Sequence, residues 1–490
     1  MSFNSCQFLF VFLPITVIVY YALGRRGNLL ASTIWLMIVS LAYYAMISME
    51  ALPLLVVSIT INFLLGRLLH MNRTRPFSQK VILFVGLFFN ILLLGYYKYV
   101  NGVMVMVSDI FRQSLESHSL MVPVGLSFFT IIQIAFLVDV YRRKTEERNF
   151  LSYFTFVAFF PYICAGPIVR HEEVTKQLND PERGVPDYKN LTLGTYLFFL
   201  GLFKKVVLAD NFAVFADMGF ANPPTITFAE GWATSLSYTF QIYFDFSGYT
   251  DMAIGCALML DIRLPANFNS PYGAVGVKDF WRKWHMTLGR FLRDYIYIPL
   301  GGNRGGIFGV YGNIMITFLI CGIWHGAGWT FILWGFLHGI ALVAERGWER
   351  LGLRLNRKLA WFLTFNFINV TWVFFRAPDL KSALSILKAM IGGNGVMVPE
   401  SAGAIFPFLN SWGVTFGNAL GAIVTDQTMN SLLMLGPAVV LLIIAGISRR
   451  LTPEFVPSAK AFFITVALIL VSITTLLAGG KEKEFVYFTF

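Results

Sequence analysis

Long apolar runs alternate with short basic segments over almost the whole chain. Phe8–Leu23, Leu29–Ile47, Ala51–Leu69 and Val81–Tyr97 open the series. Each approaches or reaches the roughly 17–25 residues with which a helix crosses a bilayer. Leu120–Val140, Leu191–Ala209, Phe228–Leu260, Ile307–Trp324, Trp329–Ala344, Leu359–Phe375, Leu432–Ile447 and Ala461–Leu477 continue it. Phe150–Ile168 is also apolar but ends in Pro161, Gly166 and Pro167, so it is expected to bend or re-enter and not to span. The pattern predicts an all-α multi-pass membrane protein of about ten to twelve transmembrane helices, with re-entrant and interfacial helices besides.

The polar segments give an orientation. Arg25-Arg26, the cluster Arg67, His70, Arg73, Arg75 and Lys80, the run Arg142-Arg143-Lys144, and Arg346 to Lys358 are expected on the cytoplasmic side, while Ala389–Ser448 holds no Lys or Arg and is expected outside. Both termini then fall outside. Phe8–Leu23 has no basic segment before it and no cleavage site after it, so it is read as a retained first span.

Composition agrees with this reading: 56% of the 490 residues are hydrophobic, 16% are aromatic and only 13% are charged. The net charge of +11 reflects loop bias and excludes a nucleic-acid function. Cys6, Cys164, Cys256 and Cys321 are scattered through apolar segments without a CxxC pair, which argues against a disulfide framework or a metal centre.

Candidate chemistry centres on two histidines. The helical wheel of Asp279–Ile296 puts Asp279, Lys283, Arg290 and Asp294 on one stripe, with Asp279/Lys283 and Arg290/Asp294 spaced as i,i+4 pairs. His285 lies nearly opposite, in line with Trp281, so the segment is expected as one interfacial helix with the imidazole turned inward. His325 sits in CGIWHGAG, flanked by glycines that permit close approach, inside an apolar run where an ionisable group signals function. A structural hydrogen bond is the alternative for either ring. Cys321, four residues before His325, raises a Cys/His nucleophile pair, against which stands the inertness of apolar-buried thiols. His338 reads as a helix contact. Asp245 and Asp251 either position a substrate hydroxyl or pair with Lys or Arg. His70, His118 and His171 are expected to face solvent. No Walker loop, HExxH or GxSxG occurs.

The segments PYICAGPIVR, YFDFSGYTDMAIG, FWRKWHMTLGRFLRDYIYIPLGGNRGG and IWHGAGWTFILWGFLHG, with the opening FNSCQFLFVFLPITVIVYY and the closing EFVYFTF, resemble the membrane-bound O-acyltransferase superfamily, specifically its bacterial alginate O-acetylation branch. The D-alanyl transferases of teichoic acid synthesis share the central motifs at greater distance. The resemblance implies that family's fold around a central funnel, with His325 in the WHG motif and His285 in the FWxxWH motif as catalytic residues. It also implies acetyl-CoA as donor, no tightly bound cofactor and no metal. Its further implications are a periplasmic partner protein, a polysaccharide acceptor and a bacterial inner membrane.

The expected organisation is one integral-membrane domain, with N-terminal helices over 1–100, a catalytic core over 120–376, and an outer loop and C-terminal helices over 377–490. On this reading His325 is the general base of acetyl transfer and His285 assists. Asp245, Trp281, Arg282, Trp324 and Arg293 are the expected substrate-binding residues. A basic surface of Arg282, Lys283, Arg290, Arg293 and Arg304 suits the phosphates of coenzyme A. Alginate-like polysaccharide is the first expected acceptor, with peptidoglycan or cellulose as alternatives. From other classes, a proton-coupled secondary transporter using Asp245, Asp251 and His325, and an inactive scaffold, remain open.

Overall fold

The apolar runs fold as helices, because backbone polar groups in hydrocarbon must be satisfied within the segment itself. The computed structural model describes residues 1–25, 27–100, 104, 121–181, 183–400, 405–418, 420, 458–478 and 484–486. The first helices are α1 (Leu13–Gly24), α2 (Leu29–Ser48), α3 (Leu52–Met71) and α4 (Pro76–Leu94). Next come α5 (Leu126–Tyr141), α6 (Phe150–Ala158), α7 (His171–Leu178), α8 (Tyr188–Phe203), α9 (Asp210–Ala221) and α10 (Phe228–Met259). Short helices α11 (Val277–Trp281) and α12 (Met286–Leu292) precede α13 (Ile307–His325), α14 (Trp329–Arg350), α15 (Arg357–Arg376), α16 (Leu380–Met390) and α17 (Ala459–Ala478). The sole sheet among the described residues pairs β1 (Val396–Pro399) in parallel with β2 (Val414–Gly417).

Six helical stretches among the described residues are long and apolar enough to cross a membrane, fewer than the ten to twelve expected. The difference has identifiable sources. Leu29–Met71 counts once over 43 residues. It would extend roughly 65 Å at 1.5 Å per residue, about twice the hydrocarbon thickness. The 3₁₀ turn Met49–Ala51 separates its halves α2 and α3. α5 is only 16 residues long, and the polar groups of α10 dilute its hydropathy. The expected run Leu432–Ile447 lies outside the described residues.

α8 and α10 form the centre of the packing. A methyl group on Gly201 would sit 2.4 Å from the Gly248 carbonyl oxygen, and one on Gly194 would sit 2.7 Å from that of Gly255. Two glycine pairs, one heptad apart, thus let the backbones touch. That approach carries the π-helical turn Lys204–Ala209, which extends α8, against α10. Lys204 bonds Asp251 at 2.5 Å and Lys205 bonds Asp245 at 2.7 Å, all four side chains being buried. Both chain ends meet here: Phe3 stacks on Tyr249 at 4.9 Å, and Phe485 meets the same ring edge-on at 4.9 Å.

The segment Phe150–Ile168 behaves as its prolines and glycine suggest. α6 has nine residues, roughly 14 Å of helix, and the turns that follow are buried from Phe159 to Val169. Irregular backbone is tolerated at membrane depth where protein covers it.

The single interfacial helix expected over Asp279–Ile296 is instead broken in the middle. α11 stops at Trp281, His285 has φ +43, α12 begins at Met286, and Arg293–Tyr297 is a π-helical turn. The cause lies in a distant segment, since the Met286 amide bonds the Asn267 carbonyl at 2.9 Å and so leaves the helical ladder. The Asp279/Lys283 pair forms at 2.8 Å, but Arg290 goes to Glu173, and Asp294 goes to Arg293 and Arg170. His171, expected in solvent, is buried between Thr145 (2.7 Å) and Glu147 (3.1 Å). His70 is partly covered beside Glu146 at 3.3 Å. His118 lies outside the described residues.

Candidate active site

His285 is held by Asn267. The Asn267 Oδ1 accepts from the Thr287 backbone N–H (3.2 Å) and hydroxyl (2.8 Å) and lies 3.1 Å from His285 Nδ1. A backbone N–H can only donate, so this Asn atom is the oxygen, and His285 Nδ1 must donate to it. The lone pair of the neutral ring is therefore on Nε2. Burial pushes the His285 imidazole down to about 3, which keeps the ring neutral at physiological pH. Phe246 meets the ring edge-on at 4.8 Å.

His325 ends α13. A methyl on Gly322 would lie 2.4 Å from the Phe331 carbonyl oxygen, and one on Gly335 would lie 2.4 Å from that of Phe318, so α13 and α14 pack backbone to backbone. This closeness sets Trp334 against the His325 ring at 5.3 Å, with Phe375 of α15 at 5.0 Å. Trp324 joins the two histidines: its ring centre is 4.8 Å from that of His325 and 6.3 Å from that of His285. His325 lies within electrostatic reach of Lys98, His285 and His338. His338 is a helix contact as expected, accepting on Nδ1 from Trp281 Nε1 at 3.2 Å.

A cavity of about 770 Å³ opens beside this cluster. That volume suits a substantial organic ligand. Trp281 and Phe318 supply apolar wall, Met286 and Thr287 border it directly after His285, and neither His285 nor His325 lines it. Lys278, Arg282, Arg290, Arg293 and Arg346 make it strongly basic. Three of these cations have acidic partners: Lys278 with Glu349, Arg290 with Glu173, and Arg293 with Asp294. Burial alone would raise the Asp294 carboxyl, but Arg293 and Arg170 hold it below the usual carboxylate range. Arg282 and Arg346 have no acidic partner among the described residues.

A model of the membrane-bound O-acyltransferase family matches residues 126–377, the stretch from α5 through α15 that holds both histidines. The chain is 41% identical to the peptidoglycan O-acetyltransferase of Helicobacter pylori, over 100% of this chain and 97% of the relative. It belongs to the membrane-bound O-acyltransferase family. This O-acyltransferase is also 38% identical to a Pseudomonas aeruginosa protein named probable alginate O-acetylase AlgI, over 80% of this chain and 75% of that one. It is 26% identical to the teichoic acid D-alanyltransferase of Streptococcus thermophilus, over 53% and 69%.

Of the expected site residues, the acyltransferase brings His285, His325 and Trp324 together and places Trp281, Arg282 and Arg293 on the cavity wall. Asp245 stands apart. Its oxygens accept from Lys205 at 2.7 Å and from the Val486 amide at 2.9 Å, the charge pairing that was the other expectation for it. Asp251 is likewise held by Lys204, so the proton-relay reading loses both of its acids. Lys283 and Arg304, expected on the basic surface, do not line the cavity, while Arg346 from α14 does. Asn267 went unnoticed because it stands in no motif, and Arg346 was read only as part of a cytoplasmic basic segment. Cys321 is fully buried, as a packing residue would be.

Proposed function

We propose that the protein transfers an acetyl group from cytoplasmic acetyl-CoA toward O-acetylation of an envelope or exported polysaccharide at the bacterial inner membrane, with both termini on the outer side. The observation that supports this best is a neutral, Asn-oriented His285 joined to His325 through Trp324 beside a cation-lined cavity. Arg282 and Arg346 receive donor phosphates, since guanidinium groups bind phosphate oxygens through paired N–H donors. His325 takes the proton from the acceptor hydroxyl as its oxygen attacks the thioester carbonyl carbon. The tetrahedral centre collapses, the C–S bond breaks, and the CoA sulfur leaves, taking up the proton from the imidazolium. A placed imidazole typically contributes ~10²–10⁴-fold to such a step. His285 Nε2 accepts a hydrogen bond that orients donor or acceptor, and a periplasmic partner protein completes delivery.

The full-length likeness to a peptidoglycan O-acetyltransferase favours peptidoglycan as final acceptor over the alginate-like polysaccharide that the motifs suggest. Two measurements test the proposal. Purified protein in detergent should release CoA from acetyl-CoA as water, or an added polysaccharide hydroxyl, takes the acetyl group, and His325→Ala, with unchanged melting, should not; wild-type turnover in that variant would remove the general base. In a deletion strain, base-released acetate should fall in purified peptidoglycan. Loss confined to secreted polysaccharide would reverse the acceptor order.

A further inference from the structure

α4 does not stop where its apolar run ends. Its ladder widens into the π-helical turn Gly95–Tyr99, a rare form concentrated at functional sites because the extra residue re-aims the side chains around it. Here it aims two donors at the end of α13. Lys98 Nζ donates to the Trp324 carbonyl at 2.7 Å and to Ser127 Oγ at 3.2 Å, and sits 5.7 Å from the centre of the Trp324 ring. The Tyr99 hydroxyl donates to the Ile323 carbonyl at 2.8 Å.

Those carbonyls belong to the last turn of α13, which ends at His325 before the extended Gly326. The final carbonyls of a helix have no intrahelical partner, and hydrocarbon offers no water to replace one. Side chains from another helix supply what is missing. They come from outside the family-matched stretch of residues 126–377.

We propose that Lys98 and Tyr99 are positioning residues for acyl transfer, capping α13 so that Trp324 and His325 keep a fixed place relative to His285. The inference rests on the reading of His325 as general base. The N-terminal helices are then part of the active machinery, because α4 sets the position of a histidine more than two hundred residues away in the chain.

The test uses full-length protein purified in detergent, acetyl-CoA as the probe and CoA release as the readout, for Lys98→Met, Lys98→Arg, Tyr99→Phe and His325→Ala. Misplacing a reacting group by about 1 Å costs on the order of a hundredfold, so Lys98→Met should lower kcat by about tenfold to a hundredfold with KM changed less than about twofold. Tyr99→Phe, which loses only a hydroxyl, should lower kcat less, and Lys98→Arg, which keeps N–H donors at that position, should recover most of the activity. Wild-type kcat in Lys98→Met overturns the inference. So does an equal loss in Lys98→Met and Lys98→Arg that follows a fall in melting temperature. An inactive His325→Ala beside a fully active Lys98→Met removes this inference alone, whereas an active His325→Ala removes the general-base reading beneath it. Should the detergent-purified wild type release no CoA, envelope O-acetate in complemented deletion cells replaces kcat, and membrane abundance replaces melting temperature, in each of these comparisons.

Discussion

Two buried polar regions lie in the same helical body and are built on opposite rules. Between α8 and α10, Lys204, Lys205, Asp245 and Asp251 meet as direct ion pairs, and Lys205 reaches Asp210 as well at 2.9 Å. Around α13, the imidazoles of His285 and His325 lie against indole and phenyl rings, with Asn267 as the polar support of the first. Charge answered by charge is spent on holding helices together. A neutral ring oriented by an amide carries no charge to be paired, and it is there that the proposed chemistry is placed. Burial of a titratable group therefore marks a special site in both regions, and the kind of partner tells which sort it is.

The sharpest way to break this comparison is to remove one member of each set. Lys205→Met leaves Asp245 and Asp210 without their cation and should destabilise the fold by roughly 3–5 kcal/mol, read as lost membrane abundance or lowered melting temperature. His325→Ala should leave abundance intact while ending turnover. If the two variants behaved alike, the distinction between regions would collapse. A finer probe is Asn267→Ala, which takes an acceptor from three donors at once. It should cost roughly 1–3 kcal/mol of stability. Released from its orientation, His285 should also lower kcat by about tenfold, with Asn267→Asp, which keeps the acceptor oxygen, closer to wild type. The smallest effect is expected in Arg282→Ala/Arg346→Ala. KM for acetyl-CoA should rise about three- to tenfold with kcat nearly unchanged, and the salt dependence of KM should flatten. Unaltered salt dependence would return these arginines to simple loop bias.

Much of this was legible in the sequence because it is local. Apolar runs, the glycines beside His325, and the proline and glycine breaks after Phe150 each act within a few residues of where they stand. The failures share the opposite property. A helical wheel of Asp279–Ile296 cannot show that Asn267 captures the Met286 amide and turns His285 into the left-handed region. Nor does a histidine in a charged stretch reveal that its neighbours are Thr145 and Glu147, as for His171. Lys98 did carry a signal, a lone cation at the end of an apolar run, but its purpose lies with carbonyls far along the chain. The pairing of Asp245 and Asp251 with Lys204-Lys205 was one of two expectations, and seeing it needed the glycine crossing of α8 and α10 to be known.

The left-handed backbone at position 285 has a practical side. A non-glycine residue in that conformation gives up on the order of 1–2 kcal/mol, which glycine would recover. Against that gain, His285→Gly would lose the Asn267 hydrogen bond and the Phe246 contact and leave a cavity at a fully buried site, so the strain is held in place by the packing around the ring. Anyone hardening this enzyme for detergent work should keep that position out of the library, or screen every survivor for turnover.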